Sequence, residues 1–310
     1  LLVAVLGWLL ATVLGVTIGV LRLSNNWIVA RIMTVYIEAF RNVPVLLWIV
    51  LMMGIFIESL PAPRAFRGDN ATASMYLGDS LAFTNRGFYL PKPEFFSGSM
   101  IVVIVFALSV VGMFVFRSWS RKRQAATGEI LPNFWISLAI LLIPAVLVYF
   151  VMGRPIGLEY PELKGFTFKG GIYMRNSLIA LTLALGLYTA AFIAEIVRAG
   201  IMAVSKGQSE AAFALGLRPS RTMNLVILPQ ALRVIIPPLI SQYLNLTKNS
   251  SLAVAVGYVE IMGTIGGTVL NQTGREMECL LLVILIYLSI SLSISSLMNF
   301  YNNSVKLKER

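Results

Sequence analysis

Residues 204–230, VSKGQSEAAFALGLRPSRTMNLVILPQ, decide how the chain is organised, because they are polar and basic yet lie between strongly apolar stretches. The whole chain is 57% hydrophobic and 13% charged, with a mean hydropathy of +0.81. Soluble domains carry about 25% charged residues. Residues 280–300 form an apolar run long enough to cross a bilayer. The sequence therefore predicts a membrane protein whose spans are interrupted by one polar segment.

This polar segment has the signals of two short helices joined by a turn. Ser205 followed by Gln208 fits a capping box at the start of the first helix. Gly216 lies where a C-terminal cap is wanted. Pro219 suits the first turn of a second helix, which we expect to end at Pro229. The segment is therefore predicted to be a helix, a turn and a helix.

The surface of the first helix leaves two interpretations open. Ala211, Ala212 and Ala214 give it low relief, and Phe213 adds one aromatic side chain. Such a surface suits insertion into a groove of another protein. It equally suits an amphipathic pair that lies against the protein's own spans or the lipid headgroups.

Apolar stretches predict an all-α integral membrane fold. Orientation follows from short loops rich in Lys and Arg, which all fall on one side if the spans alternate, and this side is predicted to be cytoplasmic. The expected spans are 1–21, 36–57, 100–116, 134–152, 177–197, a broken stretch 231–270, and 280–300. The basic residues on the cytoplasmic side are Arg22, Arg31, Arg117, Arg121, Lys122, Arg123, Lys206, Arg218, Arg221, Lys306, Lys308 and Arg310.

The number of membrane crossings constrains the broken stretch 231–270, because it must be odd or even according to the sides on which its flanking segments lie. Since 204–230 and the C-terminal tail share one side and 280–300 crosses once, residues 231–270 must cross an odd number of times. One crossing needs about 20 residues, so the surplus is expected to dip into the protein and return. Pro237 and Pro238 are predicted to break the helix, and GTIGGT, residues 263–268, holds a helix weakly. Irregular backbone at membrane depth must be buried in protein or line a wet cavity.

Residue chemistry excludes several classes of function. The chain has no His and one Cys, Cys279, so it offers no His/Cys metal site, disulfide, Cys/His nucleophile or Ser-His-Asp triad. It contains no Gly-Lys dipeptide and hence no phosphate-binding loop of the GxxxxGK[ST] type. We predict no catalytic residue, no metal and no cofactor in this chain. The net charge of +11 accompanies no nucleic-acid-binding module, and we attribute it to membrane orientation.

The spacing within 204–230 resembles the EAA loop of ABC importer permeases. That loop has Glu-Ala-Ala, three residues, Gly, nine residues and Ile-x-Leu-Pro, and Val226 replaces the usual Ile here. The resemblance implies a type I importer (MetI-like) transmembrane domain with a five-helix core and a cytoplasmic coupling helix. It also implies an ATPase partner, which would bind the ATP and Mg²⁺. The matching residues are Glu210, Ala211, Ala212, Gly216, Leu228 and Pro229.

Further stretches resemble permeases of the polar amino acid (HisMQ-like) family. They are ATVLGVTIGVLRLSNN, VYIEAFRNVPVL, YTAAFIAEIVRAGI and NLTKNSSLAVAVGYVEI. An inserted region with TNRGFYLPKP resembles the Q-type permease of general L-amino-acid transporters. The resemblance implies a permease core at 1–60 and 176–303 and an insertion at 61–175 with two outer loops and a transmembrane hairpin. Because the chain starts at Leu1 inside an apolar run, we expect its N-terminus to be missing.

This resemblance also implies the partners. They are ATPase subunits, a second permease of a distinct M type, a periplasmic binding protein, the amino acid substrate and the lipid of the bacterial inner membrane. The outer loops either receive the binding protein or simply cap the outer face. Nucleic acid is not expected as a partner.

Charged residues within the spans suggest a substrate site. A zwitterionic amino acid needs a cation for its carboxylate and an acid for its ammonium, and Arg41 with Glu195 and Glu260 supplies both. Alternatively, Glu38 with Arg41, and Glu195 with Arg198, form local ion pairs that fix helix packing. Glu260 has no oppositely charged residue one turn away, although Lys248 is a candidate partner across the break.

A stripe of small residues predicts close helix packing rather than a binding site. It consists of Gly7, Ala11, Gly15 and Gly19.

Two other functional classes stay open, a secondary transporter and a channel. A secondary transporter is expected to show repeated halves, and a channel needs a filter built from several copies. Dependence of transport on ATP and a separate ATPase chain discriminates them from an importer.

Overall fold

The computed structural model describes residues 1–67, 71–129 and 131–305, so the basic tail at Lys306, Lys308 and Arg310 lies outside the described residues. It divides into two compact units, one made of Leu1–Leu60 and Arg175–Arg310 and the other of Pro61–Met174. Within the described residues, 7 helices are long and apolar enough to cross a membrane. This agrees with the number of predicted spans. The side of the membrane at which each loop lies stays a prediction.

The helices are numbered here in chain order. The first unit holds α1 Leu2–Leu21, α2 Trp27–Asn42, α3 Val45–Ser59, α6 Asn176–Met202, α7 Lys206–Ala214, α8 Pro219–Thr222, α9 Leu228–Asn249, α10 Leu270–Thr273 and α11 Glu276–Val305, and the second unit holds α4 Ser99–Thr127 and α5 Asn133–Val151. A π-helical segment at Met223–Ile227 joins α8 to α9, and a 3₁₀ segment at Ser250–Val256 and a second π-helical segment at Met262–Val269 lie between α9 and α10.

The core of the first unit is built around α6, which packs along the whole length of α1. A Cβ atom at Gly15 would lie 2.6 Å from Ile193 Cβ, and one at Gly19 would lie 2.6 Å from the carbonyl oxygen of Ala194. Only a residue without a side chain allows this approach, which brings the two backbones into contact. The predicted packing role of the small-residue stripe is therefore confirmed.

The span predicted at 36–57 is wrong in its extent, because it consists of two helices. α2 ends at Asn42, and α3 begins at Val45 with Pro44 as its N-cap residue. Val43 has extended backbone angles, φ −112° and ψ 134°. The residue before a proline is pushed away from the α conformation by the proline ring, which explains why the helix stops there.

The predictions that Pro229 ends a helix and that Pro237 and Pro238 break one are wrong, since all three lie within the continuous α9. The π-helical segment Met223–Ile227 directly precedes α9, and its wider turn is where the chain adjusts ahead of Pro229. Neighbouring helices and local 3₁₀ or π adjustments make prolines tolerable in transmembrane helices. The break comes later, where the 3₁₀ segment ends at Gly257 with a left-handed φ of 64°.

Residues 263–268 are helical, although the prediction expected only weak helix formation. They belong to the π-helical segment Met262–Val269, which leads into α10. The α-helix is thus interrupted between Asn249 and Leu270. That the surplus residues dip into the membrane and return stays a prediction.

The second unit combines the hairpin α4–α5 with short strands that the sequence analysis did not predict. They are β1 Ala82–Thr84, β2 Gly87–Leu90, β3 Lys92–Phe95, β4 Ile156–Glu159, β5 Glu162–Lys164, β6 Thr167–Lys169 and β7 Ile172–Arg175. The strand order is β1-β2-β7 in one sheet, and β3-β4 and β5-β6 form two antiparallel ribbons. Tyr89 and Phe168, with ring centroids 5.1 Å apart, lie in the small core of this unit.

Candidate functional site

The polar segment 204–230 folds as the predicted helix, turn and helix, and its turn is a Schellman motif. Gly216 has a left-handed φ of 76°. Its N–H donates to the carbonyl of Phe213 at 2.9 Å, and the N–H of Leu217 donates to the carbonyl of Ala212 at 3.1 Å. These two bonds satisfy carbonyls left open at the end of α7. The prediction that Gly216 caps this helix is confirmed.

The start of α7 differs from the prediction. Ser205 is the N-cap residue with extended angles, but its side chain makes no capping hydrogen bond. The side chain of Gln208 is used elsewhere, because its Oε1 accepts a hydrogen bond of 3.2 Å from Gln230 Nε2. The capping box is therefore wrong, and Gln208 instead ties α7 to the first turns of α9. Pro219 occupies the first turn of α8 as predicted.

The outward surface of this segment carries large apolar side chains among its polar and basic ones. Phe213 is 49% exposed and Leu215 is 83% exposed, whereas Ala212 is only 4% exposed. Glu210 and Pro229 are also exposed. Of the residues that matched the EAA pattern, Gly216 shapes the turn and Ala212 packs inward. The others lie at the surface, where a second protein can reach them.

A second candidate site is a cluster of charges where α1 ends beside α6. Glu195 Oε1 accepts hydrogen bonds from Arg198 Nε at 3.1 Å and from Arg198 Nη2 at 2.6 Å. Glu195 Oε2 accepts a further hydrogen bond from Arg22 Nη1. The three side chains are only 18–28% exposed. Glu195 is thus neutralised by two arginines, one local and one from another helix.

Sequence reasoning found the pair Glu195 and Arg198 but missed Arg22, which was assigned only to the cytoplasmic loop. Arg22 is the C-cap residue of α1. The signal was its position directly after a span rich in small residues, since close packing of that span brings its last residue onto the neighbouring helix.

Arg41 lies against the same stretch of α6. Its Cζ atom is 5.4 Å from the ring centroid of Phe192, one turn before Glu195. Among the described residues no ion pair joins Arg41 to Glu38, whose Oε2 instead accepts a hydrogen bond of 3.1 Å from Asn42 Nδ2. Arg41 is exposed, and it forms no ion pair with any other described residue.

Glu260 lies in the broken stretch and is held by three donors. Its carboxylate accepts from the backbone N–H of Met262 at 2.9 Å, from that of Gly263 at 3.0 Å and from Tyr287 Oη at 2.8 Å. These bonds join the start of the π-helical segment to α11. The predicted partner Lys248 forms no ion pair among the described residues.

The three residues predicted to hold one substrate are not all brought together. Glu260 and Tyr287 line a cavity of about 180 Å³ together with the first residues of α1, Leu2 and Val3. Glu195 contacts Arg22, at the other end of α1. This helix has 20 residues, which corresponds to a length of about 30 Å. Arg41 and Glu195 therefore lie near one another, and Glu260 lies near the opposite end of α1.

In a comparison with known protein families, residues 125–307 match the family described as "Binding-protein-dependent transport system inner membrane component". The chain is 56% identical to the glutamate/glutamine/aspartate/asparagine transport system permease protein BztB of Rhodobacter capsulatus, over 94% of this chain and 73% of that protein. It is 46% identical to the general L-amino acid transport system permease protein AapQ of Rhizobium johnstonii, over 100% of this chain and 75% of that protein.

A solved structure shares the fold. It is described as the crystal structure of an amino acid ABC transporter with histidines, and it aligns with a TM-score of 0.54 over 97% of this chain and 88% of that chain. At 18% sequence identity, this likeness concerns the fold alone.

Proposed function

Because the chain belongs to the family of inner-membrane components of binding-protein-dependent transport systems, we propose that it is the permease subunit of an ATP-driven importer of amino acids. It is a transport subunit of the bacterial inner membrane rather than an enzyme. The observation that carries the proposal is the exposed pair of helices at 204–230, which follows α6 and presents Phe213 and Leu215 outward. The names of the relatives above support amino acids as the substrate class.

We propose that α7 is the coupling helix that docks on an ATPase subunit. An exposed aromatic side chain on a short helix fits a groove on a partner. The hydrogen bond between Gln208 and Gln230 ties α7 to α9, so movement of the docked helix is transmitted to a helix that crosses the membrane. ATP and Mg²⁺ belong to that partner.

We propose that the remaining partners are a second permease of a distinct type and a soluble binding protein. If α6 crosses the membrane once, the strand β7 before it and the coupling segment after it lie on opposite sides. The short sheets of the second unit are then on the outer side, and they are the proposed contact for the binding protein.

The substrate path is proposed to use charges at two levels. Arg41 takes the carboxylate of the amino acid, and Glu195 keeps the neighbouring arginines in position. Glu260 takes the ammonium group or a basic side chain in the cavity that it lines. Since Arg41 lies near Glu195 and Glu260 lies near the opposite end of α1, one free amino acid does not touch Arg41 and Glu260 at once, and these two residues act in succession.

Replacement of Gly216 tests the coupling role. Among the described residues a Cβ atom at Gly216 meets nothing within 4 Å, so within this chain Gly216→Val acts through the backbone, whose left-handed φ disfavours a β-branched residue. We expect uptake to be abolished and ATP hydrolysis to lose its dependence on the binding protein, while the protein still inserts.

Gly207→Ala is the matched control. Gly207 lies in α7 with an ordinary φ and an equally open surrounding, so this variant should transport normally. If Gly216→Val takes up substrate at the normal rate with normal ATP hydrolysis, the coupling role of this segment is wrong.

A further inference from the structure

Helix α4 continues beyond the apolar stretch that can cross a membrane. Its apolar part ends at Phe116, and Arg117, Arg121, Lys122 and Arg123 follow before the helix ends at Thr127. The helix has 29 residues, which corresponds to about 43 Å, whereas the hydrocarbon core of a bilayer is about 30 Å thick. The basic turns therefore lie at the level of the lipid headgroups.

Three of these cations line an open groove along one exposed face of α4, which is called the pocket below. The pocket has a volume of about 340 Å³ and is lined by Phe114, Arg117, Ser118, Arg121 and Lys122. None of these five lining residues is acidic. Throughout 1–67, 71–129 and 131–305, the three cations form no ion pair. The pocket thus holds a local excess of positive charge.

Arg123 is different, although it belongs to the same basic run. Arg123 Nη2 lies 2.8 Å from Glu129 Oε2, and its guanidinium Cζ lies 5.3 Å from the ring centroid of Trp119. Its charge is compensated, and it does not line the pocket. Among the described residues, one arginine of the run is therefore paired with a carboxylate, and the three pocket cations are not.

The pocket residue Arg117 is held in position by a hydrogen bond to α5. Arg117 Nε donates a hydrogen bond of 3.2 Å to the hydroxyl of the buried Ser137 on α5. The buried Ser120 hydroxyl donates to Asn133 Oδ1. These contacts hold the basic end of α4 on α5 and leave the terminal nitrogens of Arg117 for another acceptor. Guanidinium groups bind phosphate oxygens through paired hydrogen bonds.

On the N-terminal side of the pocket, the exposed surface of α4 is apolar. Phe114 is 60% exposed and Val111 is 59% exposed. Only Ser99, Val102, Ser109 and Ser120 of α4 are buried. A ligand that fits this arrangement carries a phosphate on an apolar tail.

We propose that the pocket lined by Arg117, Arg121 and Lys122 binds the phosphate headgroup of an anionic phospholipid, with the acyl chains along the exposed apolar face at Phe114. A free phosphate ion shares the headgroup chemistry, but it makes no use of the apolar surface. Basic clusters next to a transmembrane helix bind anionic lipid with about 1 kcal/mol per Lys or Arg, which is about fivefold in affinity.

The experiment uses the assembled transporter in nanodiscs of phosphatidylcholine that contain an increasing fraction of phosphatidylglycerol, and it counts retained phosphatidylglycerol by native mass spectrometry. We expect Arg121→Gln to weaken retention about fivefold, and the triple change Arg117→Gln, Arg121→Gln and Lys122→Gln to weaken it about a hundredfold. Arg123→Gln removes the same formal charge from the same helix end, and we expect it to leave retention unchanged.

Three outcomes would overturn the proposal. Equal losses for Arg121→Gln and Arg123→Gln would mean that only the overall charge matters. Displacement of phosphatidylglycerol by millimolar inorganic phosphate would assign the pocket to a soluble anion. If the triple variant fails to insert, the comparison of Arg121→Lys with Arg121→Gln decides the matter. Arg121→Lys keeps the charge and should retain the lipid more tightly than Arg121→Gln. Equal retention by Arg121→Lys and Arg121→Gln would refute the site.

Discussion

Glu195→Gln tests whether the charge cluster at the end of α1 stabilises the fold or serves the substrate directly. The variant keeps the size of the side chain and removes the charge that binds Arg22 and Arg198. Glu195 accepts three hydrogen bonds from the two guanidinium groups. Hydrogen bonds to charged groups contribute about 1.5–3 kcal/mol each, but the side chains are 18–28% exposed.

Partial exposure lets water and lipid headgroups take over part of the lost interaction, so the contributions do not add in full. We expect a total loss of about 1.5–3 kcal/mol in the free energy of unfolding, the size of one such bond. The double variant Arg22→Gln with Glu195→Gln should recover part of this loss, because it removes a cation that would otherwise lack a partner.

Thermal unfolding of the purified variants in detergent, combined with uptake of glutamine into proteoliposomes, measures both roles. Glu58→Gln is the control, since Glu58 is an exposed acid on α3. If Glu195→Gln unfolds at the same temperature as Glu58→Gln, the cluster does not stabilise the packing of α1 on α6. A normal unfolding temperature together with a raised substrate requirement would instead assign Glu195 to the substrate.

Three further predictions concern other parts of the first unit. Gly19→Ala should lower the free energy of unfolding by about 1–3 kcal/mol through overpacking, since its Cβ would lie 2.6 Å from a backbone oxygen of α6. The control Gly54→Ala should be neutral or stabilising, because a Cβ atom there meets no described atom within 4 Å. Equal unfolding temperatures of the two variants would refute this packing argument. Tyr287→Phe should lower the free energy of unfolding by about 0.5–1.5 kcal/mol by removing a hydrogen bond to Glu260, measured by thermal unfolding, and no change would mean that the bond does not hold the broken stretch. Arg41→Met should raise the substrate concentration for half-maximal uptake about ten- to a hundredfold at unchanged stability, the effect of losing about 1.5–3 kcal/mol; an unchanged requirement would remove Arg41 from the path.

The features that could be predicted from the sequence are those that depend on local chemistry. The apolar runs predict the spans because only long apolar segments are stable in lipid. Gly216 predicts the turn because a left-handed φ favours a residue without a side chain. The stripe from Gly7 to Gly19 predicts close packing for the same steric reason.

Proline was interpreted less successfully, because its effect depends on where the neighbouring chain can adjust. Pro44 ends helix α2, which the sequence analysis did not predict. The restriction that a proline places on the preceding residue, Val43, was a signal that could have predicted this helix end. Pro237 and Pro238, in contrast, remain inside α9. Nothing local to a proline states whether the surrounding structure will replace its missing hydrogen bond.

The parts that could not be predicted depend on long-range contacts. Arg22 and Glu195 are 173 positions apart, so their pairing follows from the packing of α1 on α6 and not from any spacing. The placement of Glu260 far from Glu195 follows from the same packing. The strands of the second unit are at most four residues long, too short to show a clear alternating pattern.

The close contact between α1 and α6 determines how differently the parts of this chain can vary in sequence. About half of the 27 residues of α6 are buried, and many of them are Gly or Ala. At these buried positions a larger residue meets a neighbouring helix, so a library of random substitutions should retain few variants there. On α5 only Ser137 and Ala145 are buried, and apolar residues of many sizes should be accepted. Relatives that diverge in the hairpin can therefore keep an unchanged central helix.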